Sequence, residues 1–238
     1  ATRTTTTMIE SPGISTGALE VTRLLQLCSA VLPVGAFSYS GGLESLQSLG
    51  WLSEPTELEA YLLSVGERSL ARCDLPLLTR MRSALQTEDV TALSEACEFL
   101  AAVRETRELL EQDQAVGRAA LRLLADLKLP QAVRLRSTAQ PSWTLGFAIA
   151  SVAWNIETRA ALLGYAFGWA ENQLQAALKC GILGHTAAQR ILLRVGERCA
   201  SWVEFGLALD DGEIGGSLPG LAIASSLHEV QYSRLFRS

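Results

Sequence analysis

From Leu19 onward, apolar residues recur along the chain at spacings of three and four, the period of one face of a helix. Leu24, Leu25, Leu27, Cys28, Val31 and Leu32 form a first stripe, which Pro33 stops because proline cannot donate within a helix. A loop from Pro33 to Gly42 then leads into a short helix around Leu43 to Leu49. Pro55, two residues after Ser53, opens the next helix, whose apolar face is Leu58, Tyr61, Leu62 and Val65. Asp74 with Pro76 marks a second start of this kind. Thr87 followed by Glu88 and Asp89 marks a third, since carboxylates in a first turn meet the positive end of the helix dipole. The helical pattern continues to about Lys128.

Leu129 to Pro141 contains two prolines among polar residues and reads as a connection. Leu145, Ile149, Val152 and Ile156 resume the stripe. Gly184 ends one helix, and Thr186-Ala-Ala-Gln189 reads as a capping box opening another, whose face is Leu192, Val195, Cys199 and Trp202. A Gly/Pro-rich bend from Gly212 to Gly220 precedes a brief apolar helix around Leu221 to Leu227 and an arginine-bearing tail. No run of four to eight residues alternates polar with apolar, and β-branched residues are sparse beside leucine and alanine. The expectation is an all-α fold, a single-domain bundle of roughly ten helices over residues 18–227. Residues 1–17, rich in Thr, Ser and Gly, read as a flexible leader, and a start without methionine leaves open whether all of it is native.

Composition narrows the partners. Apolar residues make up 48% of the 238 and charged ones 19%, enough apolar surface to offset the ordering entropy of a folded core. The net charge of −5 provides no general field for phosphate backbones or anionic lipid, so neither nucleic acid nor membrane is an expected partner. Of the 20 basic residues only Lys128 and Lys179 are lysines; the planar fork of the other 18, all arginine, suits fixed ion pairs and protein interfaces. The five cysteines are widely spaced, with no C-x-x-C pair, which argues for a reducing, cytoplasmic setting over a disulfide framework. Ala160 to Ala170 is the most membrane-like stretch but too short to span, and its Gly164 and Gly168 read as a close approach of two helices.

Catalytic patterns are missing from the sequence. There is no G-x-x-x-x-G-K-[ST] phosphate loop and no G-x-S-x-G elbow, and Asp210, Asp211 and Glu213 beside the glycine-rich bend would repel phosphate. His185 and His228 are the only histidines, far apart and outside any metal-ligand spacing; His185 reads as a helix-end residue and His228-Glu229 as an interface pair. Catalytic, metal and cofactor residues are therefore expected to be none. An enzyme site assembled from Arg104, Glu105, Tyr39 and His228 is the rival that spacing does not require. In Arg104-Glu105-Thr106-Arg107-Glu108, Arg104 faces Glu108 and Arg107 faces Glu111 at i,i+4, which fits either a solvated face or a specific ion-pair network.

Two segments resist a bland reading. The apolar, aromatic loop from Leu32 to Ser40 is an odd choice for a solvated connection, so it is expected to be buried or bound. The chain ends Tyr232-Ser233-Arg234-Leu235-Phe236-Arg237-Ser238, aromatic where termini are usually polar. Aromatics and arginines anchor interfaces, and the residues alone leave open whether these dock on a partner or on the chain's own core.

The same two segments carry a resemblance. Leu-Pro-Val-Gly-Ala-Phe-Ser-Tyr-Ser-Gly-Gly-Leu-Glu, ending at Glu44, and His228-Glu229-Val230-Gln231-Tyr232-Ser233-Arg234-Leu235-Phe236-Arg237-Ser238 resemble the opening and closing motifs of the UreF family of urease accessory proteins. Asp74-Leu75-Pro76-Leu77, Arg104 to Leu109, Asp211 to Gly215 and Ala222 to Ser225 occur between them in the family's order. The resemblance implies a cytoplasmic, all-α, dimeric scaffold that joins UreD (also called UreH) and the GTPase UreG to deliver nickel to apo-urease. Nickel and GTP would be handled by the complex rather than bound by this chain. It implies partner-binding or dimer-organising roles for Phe37, Tyr39, Glu44, Lys179, His228, Glu229, Tyr232, Arg234, Leu235 and Phe236, with residues 228–238 as a tail ordered by UreD and Lys179 near the UreG-facing surface. Gly41 departs from the bulky or polar residue often found there. A nickel-carrying metallochaperone in the same pathway is the alternative.

Overall fold

A computed structural model describes residues 17–238, so the expected leader lies outside it except for Gly17. Among the described residues there is no β-strand. Eleven α-helices follow in order: α1 (Ala18–Leu27), α2 (Leu43–Ser48), α3 (Pro55–Val65), α4 (Leu75–Thr87), α5 (Val90–Ala102), α6 (Arg107–Asp126), α7 (Pro130–Leu135), α8 (Trp143–Ala153), α9 (Thr158–Lys179), α10 (His185–Ala208) and α11 (Pro219–His228). Buried side chains from Leu27 to Ala224 join one hydrophobic core.

Leucine and alanine dictate how that core is built. Helix α8 is apolar nearly all round, and Thr144 to Ser151 are all buried, as expected of a helix surrounded by others. It packs on α4, which contributes Leu75, Leu77, Leu78, Met81 and Leu85, and on α6. The longest helices, α9 and α10, pack along each other.

The expected helix start at Asp74 is instead the interior of one rod. Helices α3 and α4 are joined without a break by π-helical turns over Gly66–Asp74, and Asp74 has helical φ −65° and ψ −46°. Pro76 has no N–H to give the carbonyl of Arg72, and the wider turn accommodates this. The freed Arg72 carbonyl accepts the Gly215 N–H at 3.0 Å, while Arg72 Nε donates back to the Gly215 carbonyl at 3.0 Å. The proline that looked like a boundary thereby fastens the glycine-rich bend to the rod.

Other boundaries also move. Helix α1 stops at Leu27, and Leu25 and Val31 of the expected stripe are exposed. Thr87 is the last residue of α4; Glu88 takes φ +56°, and Asp89 caps α5 by accepting the Ala92 N–H at 2.9 Å. Thr106 caps α6 and breaks what read as one long helix. The connection after Leu129 contains the short α7. At α10 the cap is Gly184, with Thr186 already inside the helix. Of the two glycines in α9, only Gly164 serves a close approach: a Cβ there would lie 2.5 Å from Leu24 Cδ1 of α1, whereas Gly168 has open space around it.

Candidate functional site

The first loop and the tail, at opposite ends of the sequence, meet on one side of the bundle. A 3-10 turn over Ala36–Ser38 follows Gly35, whose φ of +76° favours glycine. Ser40, fully buried, donates both its amide (2.8 Å) and its hydroxyl (2.6 Å) to the Ser238 main-chain oxygen, and the Arg237 N–H donates to the Ser38 carbonyl at 2.9 Å. Ser238 Oγ donates to Gln112 Oε1 of α6 at 2.6 Å. These bonds seat the tail as an added segment beside the loop.

Beneath them lies a buried polar joint. Glu44, in the first turn of α2 and 5% exposed, accepts the Leu235 N–H at 2.7 Å and the Phe236 N–H at 2.9 Å. Its Oε2 also lies 3.3 Å from His228 Nε2, and its Oε1 accepts from Gln231 Nε2 at 3.3 Å. His228, fully buried, places Nδ1 2.8 Å from Glu108 Oε2 of α6. Arg234 Nη1 donates to the other Glu108 oxygen at 3.1 Å, and its Nη2 donates to the Glu229 carbonyl. Two carboxylates, one imidazole and one guanidinium therefore tie α2, α6, α11 and the tail together.

Lys179, in the last turn of α9, reaches the same place from the outside. Its Nζ donates to the Phe37 carbonyl at 3.0 Å and sits 5.3 Å from the centroids of both the Phe37 and the Phe236 rings. Phe236 is buried under it, while Phe37 stays 61% exposed. Tyr39 is half-buried against Val34, Val116 and Ala120. Tyr232 and Leu235 are exposed to solvent, as are Val230 and Glu229.

The structure thus brings all ten singled-out residues to one region but sorts them into two kinds. Glu44, His228, Phe236 and, at its inner end, Arg234 are enclosed by the chain itself. Phe37, Tyr232 and Leu235 face outward. His228 pairs with Glu44 and Glu108 rather than with the adjacent Glu229, since the last turn of α11 points the imidazole inward. Glu108 is the residue sequence reasoning misplaced: it read as an i,i+4 partner of Arg104, yet it holds His228 and Arg234. Ser40 and Gln112 were missed, because no local pattern marks a residue whose partner lies 126 or 198 positions away.

The other charged cluster is a buried network. Arg104 donates to Asp74 at 2.7 Å and to Asp113 at 2.9 Å. Burial alone would lower its pKa, but the Asp113 and Asp74 carboxylates outweigh that and hold it well above the usual arginine value. Arg107 and Glu111 do form their surface pair at 2.7 Å. Arg104 and Asp74 also line a cavity of about 450 Å³ that extends to Phe37 and Lys179. Arg104, Glu105, Tyr39 and His228 do not converge: Glu105 is bound to Ser217 and to the Leu218 N–H, and His228 is sealed between its two glutamates. Among the described residues no three His, Cys, Asp or Glu side chains are grouped to hold a metal, and no helix is long and apolar enough to cross a membrane.

The UreF family model matches residues 52–196. A "Urease accessory protein UreF" of Alkalilimnicola ehrlichii is 45% identical over 216 residues, 91% of this chain and 95% of that protein. Proteins of the same name from Chromohalobacter salexigens and Psychrobacter cryohalolentis are 44% and 41% identical, over 92% and 97% of this chain and 95% and 99% of their own lengths. With a family match over more than half its residues and relatives this similar along nearly its whole length, the chain belongs to the UreF family.

Proposed function

We propose that this chain is a urease accessory protein that works as a non-catalytic scaffold. It joins UreD (UreH) and the GTPase UreG in the cytoplasm, as a dimer, to regulate GTP-coupled nickel delivery to apo-urease, and it binds neither nickel nor GTP by itself. The observation that carries this reading is the division within the loop-and-tail platform. Glu44, Glu108 and His228 are buried, and Glu44 accepts the Leu235 and Phe236 N–H groups, while Phe37, Tyr232 and Leu235 are held outward on that support. Aromatic side chains presented this way give a partner contact area at low ordering cost, because the backbone beneath them is already placed.

The test is co-purification of UreD with the full chain and with a chain lacking Tyr232 to Ser238. Loss of UreD with unchanged helical circular dichroism supports the scaffold reading, and undiminished recovery of UreD rejects the tail's part in it. Equilibrium dialysis of the isolated chain separates scaffold from carrier, since stoichiometric, tight nickel binding contradicts the scaffold reading.

A further inference from the structure

The cavity beneath the first loop has the size and lining of a small-molecule site. Its volume of about 450 Å³ is that of a pocket able to enclose a compact organic ligand. Trp143, Phe147 and Tyr165 stand along it, stacked edge to edge-on face with ring centroids 5.5 and 5.3 Å apart, and Leu32, Val34 and Ala36 of the loop line it as well.

Its charged groups are out of balance. Asp74, Glu105, Asp113 and Glu171 line it against Arg104 and Lys179. Glu105 is engaged by Ser217 and the Leu218 N–H, and Lys179 by the Phe37 carbonyl. What remains is one guanidinium between two carboxylates, Asp74 and Asp113, whose side chains are 7% and 10% exposed. The Tyr165 hydroxyl donates to Asp74 at 3.2 Å and the Trp143 N–H to Asp113 at 2.9 Å. These neutral donors satisfy oxygens, but Arg104 cancels only one of the two negative charges. The second is left for a cation that enters the cavity.

Gln173, also on the cavity wall and 5% exposed, supplies an acceptor. Its Nε2 lies 3.4 Å from the Ser40 carbonyl, and a carbonyl can only accept, so the amide nitrogen belongs on that side. Oε1 is then the other atom, buried and without a hydrogen-bond partner among the described residues. Buried acceptors are nearly always paired, so an orphan on a cavity wall marks the place of a missing donor. A bare metal ion does not suit this set: the cavity is far larger than one ion, and among the described residues no three His, Cys, Asp or Glu side chains are grouped to hold it. Aromatic walls favour a cation with an organic body.

We infer that this cavity binds a small organic monocation that carries N–H donors on an apolar or aromatic body, an amidinium or a primary ammonium. Its charge is matched by the Asp74, Arg104 and Asp113 network, one of its N–H groups donates to Gln173 Oε1, and its body packs on Trp143, Phe147 and the loop. The site is independent of the scaffold role, because it lies within one chain and is measured without any partner.

The test titrates the isolated full chain at neutral pH with two cations, benzamidine and phenethylamine, and with benzamide and benzoate, the neutral and anionic counterparts of benzamidine. Calorimetry gives the affinities, and NMR follows the indole N–H groups of Trp143 and Trp169 and the side-chain amide of Gln173. Both cations are expected to bind once per chain with Kd below about 1 mM, with benzamide at least about tenfold weaker than benzamidine and benzoate not bound. In Asp113→Asn, whose side-chain oxygen can still accept the Trp143 N–H, the preference for benzamidine over benzamide disappears. Failure of both cations to bind in this range, equal affinity for benzamide and benzamidine, shifts that fall outside the cavity, or displacement of benzamidine by stoichiometric nickel ions overturns the inference. All of these readings come from the unaltered chain, so the outcome does not depend on the variant folding.

Discussion

The main-chain oxygen of Ser238 accepts two hydrogen bonds from Ser40, one from its amide and one from its hydroxyl, across 198 positions of sequence. Ser40 is buried, so no water stands by to replace the hydroxyl. Ser40→Ala is expected to weaken the tail's seat by about 1 kcal/mol. Trypsin cleavage after Arg234 and Arg237 at native conditions reads this directly, and the variant should be clipped several times faster while the core resists.

Glu44 should matter more. Glu44→Gln removes the charge that the Leu235 and Phe236 amides and His228 share, and it adds an N–H where acceptors are needed. A loss of about 3 kcal/mol is expected, comparable to breaking a buried ion pair by one partner. Chemical denaturation gives the stability, and tail proteolysis tells whether the loss is local.

Two glycines of one helix should behave oppositely. Gly164→Ala places a Cβ 2.5 Å from Leu24 Cδ1 and 2.9 Å from Cys28 Sγ, so these side chains must shift within a packed contact, at about 1–3 kcal/mol. Gly168→Ala meets nothing within 4 Å and should be neutral or gain up to about 1 kcal/mol in helix propensity. Thermal unfolding of both variants checks the pair, and equal effects would place α1 elsewhere.

Alkaline pH should destabilise the fold. Burial pushes the Cys28 and Cys97 thiols up to about 12 and those of Cys73, Cys180 and Cys199 up to about 11, from 9.0. Glu171, Asp113, Asp74 and Glu44 add to this at Cys28, Cys97, Cys73 and Cys180 respectively. Burial raises Tyr61 as well. A raised acid favours the neutral folded form, so its contribution is full below the unfolded value near 9.0 and is lost as pH rises through the folded one. The urea midpoint should therefore be lower at about pH 10.5 than at about pH 8, and thiol alkylation of the native chain at about pH 8 should be slow.

The sequence made the helices legible but not all of their ends. The Leu58, Leu62 and Val65 face and the Val195, Cys199 and Trp202 face are buried as the period requires. Pro76 misled because a proline looks the same whether it opens a helix or sits in a rod whose freed carbonyl finds Gly215 143 residues on. The loop and the tail were recognisable by their aromatics. The joint that unites them was not, because Glu108 and Ser40 owe their roles to partners brought close only by folding.

The proposed role of the seated tail is to present its outward side chains to UreD. The most direct measurement is the affinity of UreD for the full chain and for Tyr232→Ala/Leu235→Ala, which alters only exposed side chains and leaves the Glu44 and Ser238 contacts in place. Affinity is expected to fall at least about tenfold while tail protection is retained. Unchanged affinity with the tail still seated would contradict it.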